Sequence, residues 1–250
     1  MNEIIKTIAE NGFSEQARMI CIMGGSICLI TCAFWYGHKM GLSIRKIIAV
    51  LLIAYPSLLG LMEMTHIIAK YCAENHFLGI DTAWQSGVKM YVFLPLMSWV
   101  ISKVLKIQGD LISDLLAVIR LIEYPLSSLG CIFTGCCTGY DCEWGLYNPY
   151  TNTYDFPTQP LNAVIMIVIV IWLIKRTKKN HYIPDGKQMP LMLIAMGSTR
   201  FLTEFLMDNE KLILETSIVG VYGIVMCIMG VLILIRKNKQ KDIEAIRDES

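Results

Sequence analysis

Residues 111–133, LISDLLAVIRLIEYPLSSLGCIF, decide the fold. The run is apolar throughout most of its length, and at about 1.5 Å per residue it can carry a helix across roughly 30 Å of hydrocarbon. It is interrupted by Asp114, Arg120 and Glu123. Each such group costs roughly 2.5–3.5 kcal/mol to insert in a membrane, so ionisable residues in a span are functional candidates. Leu111–Phe133 therefore reads as a transmembrane helix carrying its own chemistry.

Six further stretches match it: Met19–Tyr36, Ile47–Ala69, Val88–Leu105, Leu161–Ile174, Met189–Leu206 and Ser217–Ile235. Leu161–Ile174 is short, but Pro160 suits a first helical turn and Lys175 can extend its stem along the apolar surface. The fold class expected is an all-α polytopic membrane protein of about seven transmembrane helices. Composition agrees, with 54% apolar and 17% charged residues, where soluble domains run near a quarter charged. A net charge of +1 provides no field for nucleic acid. Soluble enzymes, disordered tails and basic nucleic-acid binders are excluded.

Lys and Arg distribute unequally between the connections. The set around Lys39, Lys103, Lys175–Lys187 and Arg236–Arg247 holds fifteen, and the set around Lys6, Arg18, Lys70, Lys89 and Lys211 holds five. The positive-inside rule then places the N-terminus outside and the C-terminus in the cytoplasm. Residues 1–235 read as a single transmembrane domain and 236–250 as a cytoplasmic tail. Asn2–Gln16 reads as a surface-lying segment, and no small-x-small cleavage site follows the first span. Segment 134–160 is extracytoplasmic, without Lys or Arg, and rich in Gly, Tyr, Asn, Thr and Pro. Its Tyr140, Trp144, Tyr147, Tyr150 and Tyr154 argue for an ordered piece at headgroup level.

The spans hold Glu63, Asp114, Arg120, Glu123, Arg200 and Glu204, with His66 near an end. Arg120/Glu123 (i,i+3) and Arg200/Glu204 (i,i+4) each share a helix face and can neutralise themselves. Glu63 and Asp114 lack a local partner and are left to protonate, cap backbone or pair across helices. Glu63 and His66 read best as a polar clamp between helices. Arg200 stands among Gly197, Ser198 and Thr199, and a guanidinium in low dielectric is a strong ligand for phosphate or carboxylate. In a membrane the abundant candidate is a phospholipid headgroup.

Cys21, Cys28, Cys32 and Cys227 read as small core residues. Cys131, Cys136, Cys137 and Cys142 are spaced C-x4-C-C-x4-C, unlike the paired spacing of zinc sites, and no histidine joins them. A disulfide on the oxidising face fits them better than a metal, and a catalytic thiol lacks a nearby histidine base. No metal and no cofactor are expected. Gly130, Gly135 and Gly139 interleave with these cysteines and allow close approach of another helix or a ligand.

Three ordered motifs carry a family resemblance. They are Leu129-Gly130-Cys131-Ile132-Phe133-Thr134-Gly135-Cys136-Cys137-Thr138-Gly139, then Pro157-Thr158-Gln159, then Arg200-Phe201-Leu202-Thr203-Glu204-Phe205. With Asp114 ahead of them, this resembles the prolipoprotein diacylglyceryl transferase family. That family shows G-R-x-G-x-F-x-x-G-x-x-x-G, often with Cys-Cys inside, then H-P-[ST]-Q and R-F-x-x-E-F. The match runs from about Asp114 to Glu210.

The resemblance implies a transferase of lipoprotein biosynthesis in the bacterial cytoplasmic membrane. It would move a diacylglyceryl group from phosphatidylglycerol to the cysteine thiol of a lipoprotein-precursor peptide, or to a divergent acceptor. Arg200 would stabilise the departing phosphate, Glu204 would orient it, and Asp114 would be a polar support. Gly130, Gly135 and Gly139 would line lipid access, with Ser128 and Gln159 in the same substrate-binding group. Here Ser128 replaces the family's arginine, Phe156 its histidine, and Tyr91-Val92-Phe93 falls where the family has His-Gly-Gly. Arg120 is the candidate replacement for the missing arginine, eight residues or about 12 Å before Ser128 on a helix. The alternative is an impaired family member acting as a lipid-binding or assembly factor. A small-molecule transporter would predict broken helices in repeated halves, and no internal repeat is found.

Overall fold

The computed structural model describes residues 1–74, 89–206 and 213–248, excepting the side chains of 59, 62, 65–74, 89–90, 213–219 and 241–248. The side chains of His66, Lys70, Lys89 and Lys211 thus lie outside the described residues. Among the described residues, eight helices and one hairpin follow in order: α1 (Asn2–Glu10), α2 (Ser14–Lys39), α3 (Ile44–Glu74), α4 (Lys89–Leu105), α5 (Gly109–Thr134), β1 (Asp141–Asn148), β2 (Thr153–Asp155), α6 (Thr158–Lys179), α7 (Gln188–Glu204) and α8 (Ile213–Asp248). Each of the seven apolar runs falls on one helix from α2 to α8, with ends differing by up to five residues except in α8, which continues to Asp248, thirteen residues past the expected end. Among the described residues four segments are long and apolar enough to cross a membrane: Ser14–Lys39, Gly109–Thr134, Thr158–Lys179 and Gly220–Gln240.

The decisive run forms the centre of the bundle. α5 is buried continuously from Asp114 to Leu121 and packs against α2, α4, α6 and α7. Its Asp114 and Arg120 are buried, and ionisable groups in a span face the bundle interior, so this helix is enclosed by its neighbours. The peripheral helices show the opposite pattern. Met23, Ile27 and Ile30 of α2, Val168 and Trp172 of α6, and Ile228 and Leu232 of α8 point outward as exposed apolar side chains. Hydrocarbon, not water, is the solvent that tolerates such a surface. Glu63 on α3 is also exposed rather than enclosed in the bundle.

α7 and α8 run together at backbone contact. A Cβ added at Gly197 would come within 2.5 Å of the Gly223 carbonyl oxygen, so only glycine permits this crossing. The contact fixes α7 just before Arg200.

Segment 134–160 is folded, as its aromatic residues suggested, and the local form is a β-hairpin. β1 and β2 pair antiparallel, with Tyr147 opposite Tyr154 and Asn148 opposite Thr153. Asn148 donates to Asp155 Oδ2 at 2.6 Å, which closes the turn from inside. The Asn2 side chain donates to the Gly145 carbonyl at 3.1 Å and accepts from the Tyr147 N–H at 3.1 Å, copying a strand partner. The N-terminal helix and the hairpin therefore sit at the same end of the bundle.

Candidate active site

At the hairpin end of the bundle, buried polar groups gather between α4, α5 and α7. Arg200 is only 7% exposed, and its guanidinium carbon stands 6.0 Å from the Tyr124 ring centroid. That places a cation over a π face, an attraction that strengthens when water is excluded. Tyr124 meets Tyr91 edge-on, with ring centroids 6.2 Å apart. The Tyr91 hydroxyl donates to the Arg120 carbonyl at 3.4 Å. Arg120, 6% exposed, pairs through Nη1 with Glu123 Oε2. Two guanidiniums thus flank a tyrosine pair: Arg120 beside Tyr91, Arg200 over Tyr124. Both lie within electrostatic range of the Tyr91 hydroxyl.

This cluster is not internally satisfied. Nε of Arg120, Nε of Arg200 and Oε2 of Glu204 are buried without a hydrogen-bond partner. A buried polar atom left unpaired costs about 1–3 kcal/mol, and more when charged. Arg200 and Glu204 attract each other across one helix face, yet that attraction leaves both of these atoms unpaired. The two unpaired guanidinium N–H groups are what an anionic ligand would complete, while Glu204 Oε2 stands as an acceptor beside them.

Ser128, Gln159 and the glycine-rich turn form a neighbouring unit. Ser128 Oγ donates to the Gln159 carbonyl at 3.1 Å, and Gln159 Nε2 donates to the Cys136 carbonyl at 2.8 Å. Thr158 Oγ1 donates to the Cys137 carbonyl. The Thr-Gln motif at the start of α6 therefore clamps the turn that ends α5. Gly135 caps α5 in the left-handed region at φ 66, where Cβ is disfavoured. Gly139 donates its N–H to the Phe156 carbonyl at 3.1 Å, beside the end of α7. Gly130 faces α2, where an added Cβ would lie 3.1 Å from that of Cys21. These glycines meet the chain's own backbone and side chains.

Asp114 belongs elsewhere. It is 1% exposed and accepts N–H groups from Asp185 at 3.0 Å, Gly186 at 3.0 Å and Gln188 at 2.9 Å. It thus caps the start of α7, about 18 Å along the helix from Arg200. Of the three fates open to it in the sequence, backbone capping is the one seen.

Cysteines whose spacing is unlike that of zinc sites nevertheless meet in space. Cys131, Cys136 and Cys137 bring their sulfurs within 4.8 Å of one another. Spacing along the chain missed this because the left-handed Gly135 doubles the chain back on α5. Tyr91 and Tyr124 were missed too. The available signal was a tyrosine four residues after Arg120, since a buried phenol needs a polar partner. Phe156, at the family's histidine position, instead stacks on Tyr140 with centroids 5.2 Å apart.

The prolipoprotein diacylglyceryl transferase family profile matches residues 19–236. Two relatives from strains of Dehalococcoides mccartyi, each named phosphatidylglycerol–prolipoprotein diacylglyceryl transferase, are 22% identical over 235 residues. A third strain's protein of the same name is 23% identical over 233 residues. Each alignment covers 87% of this chain and 88% of the relative. With nearly its whole helical bundle inside the match, this chain belongs to the prolipoprotein diacylglyceryl transferase family.

Proposed function

We propose that the protein transfers a diacylglyceryl group from phosphatidylglycerol to the cysteine thiol of a lipoprotein precursor. The supporting observation is Arg200: a buried guanidinium with an unpaired Nε, over Tyr124 and grouped with Arg120. In the reaction the precursor sulfur attacks the glycerol carbon that bears the phosphate. A C–S bond forms, the C–O bond breaks, and glycerol phosphate leaves with the electron pair. Negative charge grows on the phosphate oxygens, and a fixed cation in a dry site stabilises it without reorganisation. Arg200 supplies that cation, with Glu204 on the same helix face to orient it. Arg120 supplies a second positive group where the family's arginine has become Ser128. The thiol proton passes to a basic oxygen at the site.

The reading includes seven spans with the N-terminus outside and the C-terminus in the cytoplasm of a bacterial plasma membrane. Hairpin and active site then face the leaflet from which precursor and phosphatidylglycerol approach. The test uses purified protein, phosphatidylglycerol labelled in its acyl chains, and a lipobox peptide. Labelled peptide and released glycerol phosphate are expected in equal amounts. No labelled peptide, with a competent relative working in parallel, overturns the proposal. Phe156, locked in an aromatic stack, favours a second reading, a lipid-binding factor without turnover. That reading predicts phosphatidylglycerol binding with no product.

A further inference from the structure

Cys131 lies on the last turn of α5, and Cys136 and Cys137 follow the cap. Gly135 at φ 66 and Cys137 at φ 59 both take the left-handed conformation. For a non-glycine residue this conformation is strained and persists only where surrounding contacts enforce it. Those contacts are the Thr158 and Gln159 side chains, which hold the Cys137 and Cys136 carbonyls. The consequence is three sulfurs within 4.8 Å of one another on a clamped turn. Thr134 Oγ1 lies 3.3 Å from Cys136 Sγ, in place to donate to a thiolate. Cys131 and Cys136 are half-buried, and Cys137 is exposed as a residue.

Metal–sulfur bonds of about 2.3 Å put ligand sulfurs roughly 4 Å apart in trigonal or tetrahedral sites. The observed spacing accommodates that geometry with small side-chain adjustments. Among the described residues no carboxylate or imidazole joins the group. An all-sulfur set selects soft cations over magnesium, calcium or manganese. Three thiolates carry three negative charges, and Arg200 lies within electrostatic range of Cys131 and Cys137, as Arg18 does of Cys136. These cations offset the excess charge that a monovalent or divalent metal would leave. A disulfide, by contrast, would engage only two of the sulfurs and leave the strained placement of the third unexplained.

We propose that Cys131, Cys136 and Cys137 form a three-thiolate binding site for one thiophilic cation of the Zn2+ or Cu+ kind. On binding, the three thiols lose their protons to solvent and each sulfur donates a lone pair to the metal. No electron is transferred. The site shares the field of Arg200 with the proposed transfer site, and metal binding is read separately from turnover.

The test titrates Cd2+, as a spectroscopic probe of soft-metal binding, into reduced full-length protein in detergent without oxygen. A sulfur-to-cadmium ultraviolet band saturating at one equivalent, with proton release, is expected. Cys136→Ser and Cys137→Ser should each weaken binding by about 10- to 100-fold or more, since loss of an outer-shell partner alone costs that much. Cys142→Ser should leave it unchanged. In wild-type protein, Zn2+ should shield the three cysteines, but not Cys142, from alkylation read by mass spectrometry, which needs no variant to fold. The proposal fails if no saturable band forms, if the band survives in the Cys136→Ser/Cys137→Ser double variant, or if alkylation is unprotected. Isolation of the unreduced protein with two of these cysteines in a disulfide would also overturn it.

Discussion

The two ends of α7 treat buried charge in opposite ways. At its start, Asp114 receives three backbone N–H groups. Around it Arg176 binds Asp185, Lys237 binds Asp110, and Lys187 donates to Asn238 at 2.6 Å. At its end, Arg200, Arg120 and Glu204 each keep a buried polar atom unpaired. The first end resembles a joint: α5, α6, α7 and α8 are tied through paired charges, and the polar atom left unpaired there is the neutral Gln188 Oε1. The second keeps charge in a dry place without completing it, as a binding site for an anion requires. Burial alone does not distinguish scaffold from site; whether the charged groups are fully paired does.

This contrast can be broken by experiment. Arg200→Ala should reduce transfer by roughly 10²–10³-fold, about 2.7–4 kcal/mol in the barrier, while thermal unfolding in detergent barely moves. A large drop in melting temperature would make both ends structural. Asp114→Ala should behave in reverse. Three N–H donors lose their acceptor, at about 1 kcal/mol or more each, so unfolding should shift strongly while the folded fraction keeps its rate per molecule. Loss of turnover without loss of stability would move Asp114 into the site.

Two smaller effects sharpen the picture. Gly135→Ala forces a Cβ at φ +66 to 2.0 Å from Asn148 Oδ1, so a loss of roughly 1–3 kcal/mol is expected in denaturant titrations. A neutral result would mean that the turn closing α5 is loosely held. Lys237→Met removes a partly exposed ion pair, with side chains 28% and 31% exposed, and should change stability by at most about 1 kcal/mol. A larger change, measured against Asp110→Asn and the double variant, would show that the joint acts as a coupled network.

Much of the fold was legible because hydrocarbon imposes a length and an apolarity that each helix must meet by itself. Seven runs marked seven helices, but the central position of α5 came only with the packing. Segment 134–160 was recognisable as ordered from its aromatic rings, but its hairpin was not, since β1 lacks strict alternation and is held in part by Asn2, more than 140 residues away. Arg200 stood out as a charge inside a span. Its setting over Tyr124, and the route through Tyr91 to Arg120, could not be read, because those residues lie on three different helices.

Sequence by itself therefore determined the class of protein, the helices and the residues that are costly to bury, since each follows from local chemistry in a membrane. Tertiary structure alone decided which of those residues meet. It sent Asp114 to cap α7 far from Arg200, joined Thr158 and Gln159 to the cysteine turn, and drew three thiols together past a left-handed glycine. Packing angles and a single backbone reversal set those distances, and neither is encoded in the spacing of residues along the chain.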